Sequence, residues 1–238
     1  MNRNRLMLFI VAVMFCSASS ATKLDEFTQK TDLFMKKFVQ NGKVNYQAIK
    51  SNQAGIKYLI EMAASMPLAT TPNGRTEAFY INAYNLAVIY DIVRVYPVKS
   101  PRSIPGFFDR KRHEIGKQYF TLEELEEKLI KDYKDPRVHF ALGRGAKGSM
   151  LISGSYKTAT LDAQLTKVTS KALNAPSYVK VTGTTVSLCD IFKWNRADYG
   201  ADDAQLIAWL NTYRKTALPA GATFAVEYMK FNWYLNRI

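Results

Sequence analysis

The strongest candidate for acid–base chemistry in this sequence is a histidine near its middle, His139. It lies in an alternating apolar segment, residues 138–142, which predicts a β-strand with the imidazole on the face opposite its apolar neighbours. Asparagine is poorly suited to an apolar helix, so Asn82 and Asn85 on either side of Tyr84 need a reason. We expect these side chains to meet His139, either as a buried polar network that fixes a loop or as part of a binding or catalytic cleft.

A nucleophile to accompany His139 is hard to identify. The chain has no Gly-x-Ser-x-Gly motif, and Ser149 is the candidate only because it follows a nearby loop. In an enzyme, Asn82 or Asn85 would orient the imidazole. Two histidines 26 positions apart and few cysteines do not make a metal-ligand set, so neither a metal nor a cofactor is predicted.

The loop Gly143–Gly148 fits the G-x-G-x-x-G pattern, in which a helix should open at the third glycine. Residues 149–155 look extended instead, so a dinucleotide site is not predicted. Glycines allow backbone N–H groups to turn inward, and Arg144 and Lys147 add positive charge, so this loop is either an anion site or a plain tight turn. The predicted ligand-binding side chains are Tyr84, Arg137, His139, Arg144 and Lys147; the predicted catalytic ones, if the protein is an enzyme, are His139, Asn82, Asn85 and Ser149.

The N-terminus has the organisation of a secretory signal peptide. Arg3 and Arg5 precede an apolar run of 11 residues, Leu6–Cys16, and small residues lead to a predicted cleavage after Ala21. The run is too short to span a bilayer, which takes about 20 apolar residues. We therefore expect a signal peptide at 1–21 and an exported protein, periplasmic or secreted, with no transmembrane segment after cleavage.

Composition bounds the partners and the domain count. The formal charge of +13 falls to +11 when Arg3 and Arg5 leave with the signal. Such an excess favours anionic partners, and export points to an anionic or polar cell-envelope ligand rather than to nucleic acid.

Residues 22–238 are enough for one domain with its own core. They keep one cysteine, Cys189, whose apolar neighbours predict a buried, inert thiol.

The order of predicted elements favours an α+β fold. Helical spacing extends over 24–38, 56–66 and 76–96, a capping box at Thr121–Glu124 starts a helix to about Lys131, and further helices follow at 161–172, 191–194 and 204–213. Residues 99–119 contain turn-forming Pro and Gly and predict a loop. A hairpin at 178–188 and a strand at 224–228 come late. Helices first and strands later favour a helical N-terminal half packed on a small, mainly antiparallel sheet.

Six segments occur in a recognisable order. They are Gly42–Tyr46, Phe79–Asn85, Asp135–Leu142 with the Gly-Ala loop after it, Leu161–Leu165, Ile191–Trp194 and Asn232–Asn236. Together they resemble the bacterial and plant family known as domain of unknown function 547. The resemblance covers nearly all of residues 22–238 and implies no established activity.

The chain departs from that family's pattern where chemistry would be expected. The resemblance implies two cysteines in the loop after the histidine segment, and Arg144 and Ser149 stand there instead. If relatives use a loop cysteine as nucleophile or redox group, this chain cannot. A helix followed by a histidine-bearing strand also invites comparison with papain-like and transglutaminase-like folds.

Taken together, the sequence predicts a non-catalytic exported binding module that holds an anionic or polar cell-envelope ligand. The alternative is a hydrolase or acyl-transfer enzyme with His139 as general base. A purely structural partner protein is a third interpretation, and the oligomeric state is not predicted.

Overall fold

The computed structural model describes residues 22–69, 71–219 and 222–238. The predicted signal peptide at 1–21 lies outside the described residues. Helices are α1 (22–38), α2 (Tyr46–Ser51), α3 (Ala54–Ser65), α4 (Gly74–Val95), α5 (Leu122–Tyr133), α6 (Val138–Ala141), α7 (Leu161–Leu173), α8 (Asp190–Trp194) and α9 (Asp203–Tyr213). Strands are β1 (Val39–Gln40), β2 (Lys43–Val44), β3 (His113–Ile115), β4 (Gln118–Phe120), β5 (Val179–Thr182), β6 (Thr185–Cys189) and β7 (Ala225–Met229). The predicted α+β class is confirmed.

The long helix α4 is the centre of the fold. Asn73 caps its N-terminus by accepting hydrogen bonds from the backbone N–H groups of Arg75 and Thr76. The hydroxyl of Thr76 in turn accepts a hydrogen bond from the backbone N–H of Asn73, which completes a capping box. The helix ends before Pro97, whose ring disfavours helical backbone in the residue that precedes it. Nearly all side chains from Ala78 to Val93 are buried, and α2, α3 and α5 pack around them. A helix buried all round must be a core helix.

The strands form small sheets at the edge of this helical core. β5 and β6 pair antiparallel around Gly183, whose positive φ of 57° suits the turn, as the predicted hairpin requires. β7 adds to β6 in parallel, with Val186 opposite Val226. The hairpins β1–β2 and β3–β4 are antiparallel, so the prediction of a mainly antiparallel arrangement is confirmed.

Two predicted elements are wrong. Residues Val138–Ala141 form the short helix α6, not a strand, and all four side chains are buried. The carboxylate of Asp135 accepts a hydrogen bond from the backbone N–H of Arg137 and so favours a helical turn, while an apolar run this short fits either structure. The predicted loop at 99–119 contains β3 and the start of β4, which turn through Gly116 and Lys117, both at a positive φ of 62°.

The buried apolar side chains form one continuous core, and Cys189 belongs to it, with 2% of its surface exposed. The prediction of a buried thiol is therefore confirmed. The comparison with papain-like and transglutaminase-like folds carries no argument, because the segment that suggested it is helical. Within the described ranges, none of the helices combines the length and the apolar character needed to cross a membrane.

Candidate functional site

His139 lies at the centre of a buried chain of charges. Its Nδ1 is 2.7 Å from Oε1 of Glu126, and its Nε2 is 2.8 Å from Oδ2 of Asp198. The guanidinium of Arg144 donates to the same oxygen of Glu126 and, at 3.0 Å, to the backbone carbonyl of His139. His139 is 2% exposed and Arg144 is 4% exposed, so both side chains are buried inside the protein.

Four separate segments supply this chain of charges, which we call the His139 cluster (Glu126, His139, Arg144 and Asp198). Glu126 comes from α5, whose start is fixed by the predicted capping box between Thr121 and Glu124. His139 comes from α6, and Arg144 from the glycine loop that follows it. Asp198 comes from a 3₁₀ turn, Arg196–Tyr199, that follows α8.

The members of the His139 cluster stabilise one another's charge. Burial raises the pKa of Glu126, but the neighbouring Arg144 and His139 outweigh it and leave that pKa below its usual value. Burial lowers the pKa of the Arg144 guanidinium, and the carboxylate of Glu126 reverses this, so its pKa is raised.

A cleft of about 500 Å³ opens above the ion pair of Glu126 and Arg144. Its lining combines aromatic and charged side chains from α4, α5, α8, the loop before β3 and the segment after β7. Its lining residues are Tyr84, Arg102, Phe108, Asp109, Glu123, Glu126, Glu127, Arg144, Trp194, Asn195 and Trp233. A concave pocket of this size, apolar on its walls and with polar groups converging on it, is the usual form of a small-ligand site.

The aromatic wall of the cleft is built around two tryptophans. The rings of Trp194 and Trp233 stack with centroids 5.6 Å apart and planes 30° apart, and Phe108 meets Trp233 edge-on, also at 5.6 Å. Phe231 is buried 4.6 Å from Trp233 and supports it from behind. Trp194 remains 45% exposed, so the wall presents a flat apolar face to solvent.

The acidic side of the cleft comes from one face of α5. Glu123, Glu126 and Glu127 are three and four positions apart, a spacing that puts side chains on the same helix face. Burial, together with the carboxylates of Asp109, Glu127 and Glu126, raises the pKa of Glu123. Within the described part of the chain, Glu123 and Glu127 have no ion-pair partner. The cleft is therefore locally negative in a strongly basic protein.

Tyr84 contributes an unpaired hydroxyl to the cleft. The side chain is 1% exposed, yet it lines the cleft, and among the described residues its hydroxyl has no hydrogen-bond partner. Burial raises its pKa well above the usual value, so the hydroxyl stays neutral and can both donate and accept. Because Tyr84 lines the open cleft, water or a ligand can bond to this hydroxyl.

The asparagines of α4 do not contact His139, and the expectation that they would is wrong. Asn82 makes two hydrogen bonds of 2.8 Å with the backbone of Tyr156, one through each side-chain atom. Asn85 donates to the carbonyl of Ala141 and accepts from the N–H of Gly143, at 3.0 and 2.6 Å. Both side-chain amides therefore use their donor and their acceptor to hold the backbone of a neighbouring loop against α4.

The glycine loop uses its donors inside the protein. The N–H groups of Lys147 and Gly148 donate to the carbonyls of Tyr234 and Asn232 at 2.7 and 2.9 Å, and that of Arg144 donates to Oγ of Ser149 at 2.9 Å. These donors are not free for an anion. Arg144 is buried in the His139 cluster, whereas Lys147 is exposed, so the two charges do not form one cradle.

The glycines of this loop allow close packing instead. Gly145 has a φ of +69°, and a Cβ there would lie 2.4 Å from Cδ1 of Ile92 in α4. Gly148 lies against the ring of Phe231, which supports the aromatic wall, at 2.8 Å from where a Cβ would be. The G-x-G-x-x-G spacing therefore reflects packing between the loop, α4 and the C-terminal segment.

The remaining predicted residues lie outside the cleft. Arg137 pairs with Asp135 and Asp162 at 2.7 and 2.9 Å and so ties the start of α6 to α7. Ser149 accepts from the backbone of Arg144, and within the described ranges no hydrogen bond joins Ser149 to His139. No group of three or more His, Cys, Asp or Glu side chains in the described residues is arranged to hold a metal ion.

Sequence reasoning missed most of the cleft. The spacing of the three glutamates on α5 was a usable signal, because it puts three acids on one face of an amphipathic helix. Trp194 and Trp233 lie in segments that carry the family resemblance, so they too were visible. Nothing in the sequence pointed to Asp198, which is 59 positions from His139.

Residues 68–173 match the model of a family described as a protein of unknown function, DUF547. The predicted resemblance to this family is thus confirmed. The matched stretch contains α4 to α7, and with them Tyr84, Glu126, His139 and Arg144, while Trp194 and Trp233 lie beyond it. Comparison with curated proteins and with solved structures found no match.

Proposed function

We propose that this chain is an exported, non-catalytic binding module that holds a small polar cell-envelope ligand in the cleft above the His139 cluster. The observation that carries the proposal is the hydroxyl of Tyr84, which lines the cleft without a partner among the described residues. A ligand with a polar group at that position would supply the missing hydrogen bond. Its apolar face would pack on the exposed ring of Trp194.

The surroundings of His139 support binding rather than catalysis. A general base must reach the proton that it removes, directly or through one water. Both ring nitrogens of His139 already contact carboxylates, and its side chain is almost fully buried. Ser149, the predicted nucleophile, uses its oxygen to accept a hydrogen bond from the backbone N–H of Arg144.

The charge of the cleft favours a polar ligand over an anionic one. The guanidinium of Arg144 is engaged by Glu126 and by two backbone carbonyls. Arg102 lies over the ring of Trp233 at 5.3 Å and is the other cation of the lining. Asp109 pairs with Arg110, but Glu123 and Glu127 still outnumber Arg102, so an anion entering the cleft would meet net repulsion.

A thermal-shift titration of the purified protein tests this function. The probes are N-acetylglucosamine as a neutral sugar, glucosamine as a cationic sugar, choline as a quaternary ammonium ion, and glucuronic acid as an anionic sugar. We expect at least one of the first three to raise the melting temperature, because binding to the folded state alone stabilises it. Trp194→Ala should abolish the shift. No shift with any probe, a shift that survives Trp194→Ala, or His139-dependent cleavage of a bound oligosaccharide would each contradict the proposal.

Export is tested separately on the protein from its native host. The charged start, apolar run and small residues before Thr22 predict cleavage after Ala21. Mass spectrometry should find an N-terminus at Thr22 in a periplasmic or secreted fraction. Intact Met1 in a soluble cytoplasmic fraction would overturn the export part of the proposal.

A further inference from the structure

The cleft carries a charge opposite to that of the protein around it. The chain is strongly basic, yet four carboxylates line the cleft against two cations. Glu126 pairs with Arg144, and Oδ2 of Asp109 lies 3.7 Å from Nε of Arg110, which leaves Glu123 and Glu127 against Arg102. A local excess of negative charge raises the concentration of cations in the cleft and excludes anions.

Among the residues that the structure describes, no basic side chain compensates the charge of Glu123 or Glu127. Arg112 pairs with Glu124, and Arg144 pairs with Glu126, but in the described ranges no lysine or arginine pairs with Glu123 or Glu127. Burial raises the pKa of Glu123, and the nearby carboxylates of Asp109, Glu127 and Glu126 raise it further. A bound positive charge would relieve this repulsion and would bring the pKa back down.

The aromatic wall offers the second half of a cation site. Arg102 already lies 5.3 Å over the ring of Trp233, so this wall accommodates a positive charge on an indole face. Trp194 stacks on Trp233 and is largely exposed, so its ring is open to a further group. Ammonium groups bind to tryptophan faces through the ring quadrupole, more strongly where carboxylates are close.

We infer that the ligand of the cleft carries an ammonium group next to a flat or apolar body. The ammonium group is held by Glu123 and Glu127, the body packs on Trp194, and a polar group of the ligand bonds to the Tyr84 hydroxyl. This inference rests on the proposed function. Two sources share this chemistry: a sugar with a free amine, and a headgroup with a quaternary ammonium. An amine donates hydrogen bonds to carboxylates, whereas a quaternary ammonium cannot.

A matched pair of sugars tests the charge requirement. Glucosamine and N-acetylglucosamine share one ring and differ in the charge on their nitrogen. We expect glucosamine to bind about tenfold tighter in a tryptophan-fluorescence titration, since one unscreened contact with a carboxylate is of that order. Choline is the second arm. Choline binding with no glucosamine binding assigns the site to a headgroup, and glucosamine binding alone assigns it to an amino sugar.

Equal affinity for glucosamine and N-acetylglucosamine, with no choline binding, would overturn the ammonium inference and leave the binding module standing. No binding of any of these probes, by fluorescence or by calorimetry, would overturn both. The two failures are therefore distinguishable in a single set of titrations.

A matched pair of double variants tests the residues. Glu123→Gln with Glu127→Gln should weaken binding of the preferred cationic probe by about tenfold or more, and the loss should shrink as salt screens the charges. Glu61→Gln with Glu227→Gln changes the net charge equally, at exposed positions outside the cleft, and should leave affinity unchanged. Equal losses in both variants would mean that only the net charge of the protein matters, and this would overturn the assignment.

Discussion

The two histidines of this protein lie in two buried charge clusters that differ in how fully their atoms are paired. In the His139 cluster both ring nitrogens contact carboxylates, at 2.7 and 2.8 Å, and the arginine also bonds to backbone. In the second, which we call the His113 cluster (Asp91, Lys111 and His113), Nε2 of His113 lies 3.3 Å from Oδ2 of Asp91. The geometry is not that of a hydrogen bond, and both atoms lack a partner among the described residues.

The difference follows from the cation in each cluster. The guanidinium of Arg144 has donors pointing in several directions, and it bonds to Glu126, to the carbonyl of His139 and to that of Leu142. The ammonium of Lys111 contacts Asp91 from a side chain that is one-third exposed. Asp91 itself is 1% exposed, so the His113 cluster combines a deeply buried charge with incomplete pairing.

The two clusters also have different positions in the fold. The His139 cluster joins α5, α6, the glycine loop and the turn before α9, and so forms the base of the cleft. The His113 cluster joins the hairpin β3–β4 and the residues before it to α4. A fully paired network can form a rigid base for an open site.

The largest expected effect compares the two cations. Arg144→Met would leave Glu126 buried and uncompensated, and should cost about 3–5 kcal/mol in the free energy of unfolding. Lys111→Met should cost less, about 2 kcal/mol, because removing Lys111 raises the pKa of His113, which can then take up a proton and pair with Asp91, 3.3 Å away. Urea unfolding of both variants measures the difference. Equal losses in the free energy of unfolding would mean that the completeness of hydrogen bonding does not determine how much each cluster stabilises the fold.

Substitution of the two histidines should give the same order of stability loss, with the larger loss in the His139 cluster. His139→Ala would remove a partner from Glu126 and from Asp198, and we expect a cost of about 3 kcal/mol. His113→Ala should cost about 1 kcal/mol, since Nε2 makes no hydrogen bond that could be lost within the described residues. The same urea experiment measures both. A larger loss at His113 would reverse the comparison.

The clusters should respond to acid in different pH windows. Burial lowers the pKa of His113, Asp91 raises it and Lys111 lowers it, and the net effect is a pKa below the ordinary value of 6.5. Below pH 6.5 the unfolded chain therefore takes up a proton that the folded chain does not bind until the pH is lower. Stability should therefore fall as pH drops below 6.5, and His113→Gln should flatten this slope.

The pKa of Glu126 is lowered from its ordinary value of 4.5, so the stability that this residue contributes is lost only as the pH falls below that value. Glu126→Gln should flatten the fall in stability below pH 4.5 and should leave the fall that begins at pH 6.5 unchanged. Melting temperatures measured from pH 8 to pH 3 separate the two. A single window, removed by either variant, would mean that the clusters titrate together.

The smallest expected effect concerns the hydroxyl of Tyr84, above the His139 cluster. Because it has no partner among the described residues, Tyr84→Phe should change the free energy of unfolding by less than about 0.5 kcal/mol. The matched control is Tyr178→Phe. The hydroxyl of Tyr178 donates to the carbonyl of Gly148, so its removal should cost about 1 kcal/mol in the free energy of unfolding. Equal losses would indicate that Tyr84 is bonded inside the protein and is not free for a ligand.

Much of the fold was determined by local features of the sequence. The helical spacing of α1, α3 and α4, the capping box that starts α5 and the glycine turn between β5 and β6 were all predicted. The burial of Cys189 followed from alternating apolar neighbours. These features depend on hydrogen bonds and periodicities within a few residues, so the sequence by itself contains the information.

Only the tertiary structure decided the site. Residues 138–142 are too few for their pattern to separate helix from strand, and in the structure Val138–Ala141 form α6. His139 meets Glu126 and Asp198, 13 and 59 positions away, rather than the asparagines of α4. The acids and tryptophans of the cleft come from segments far apart in the chain. Which distant side chains meet depends on how the elements pack, and no local pattern in the sequence records that.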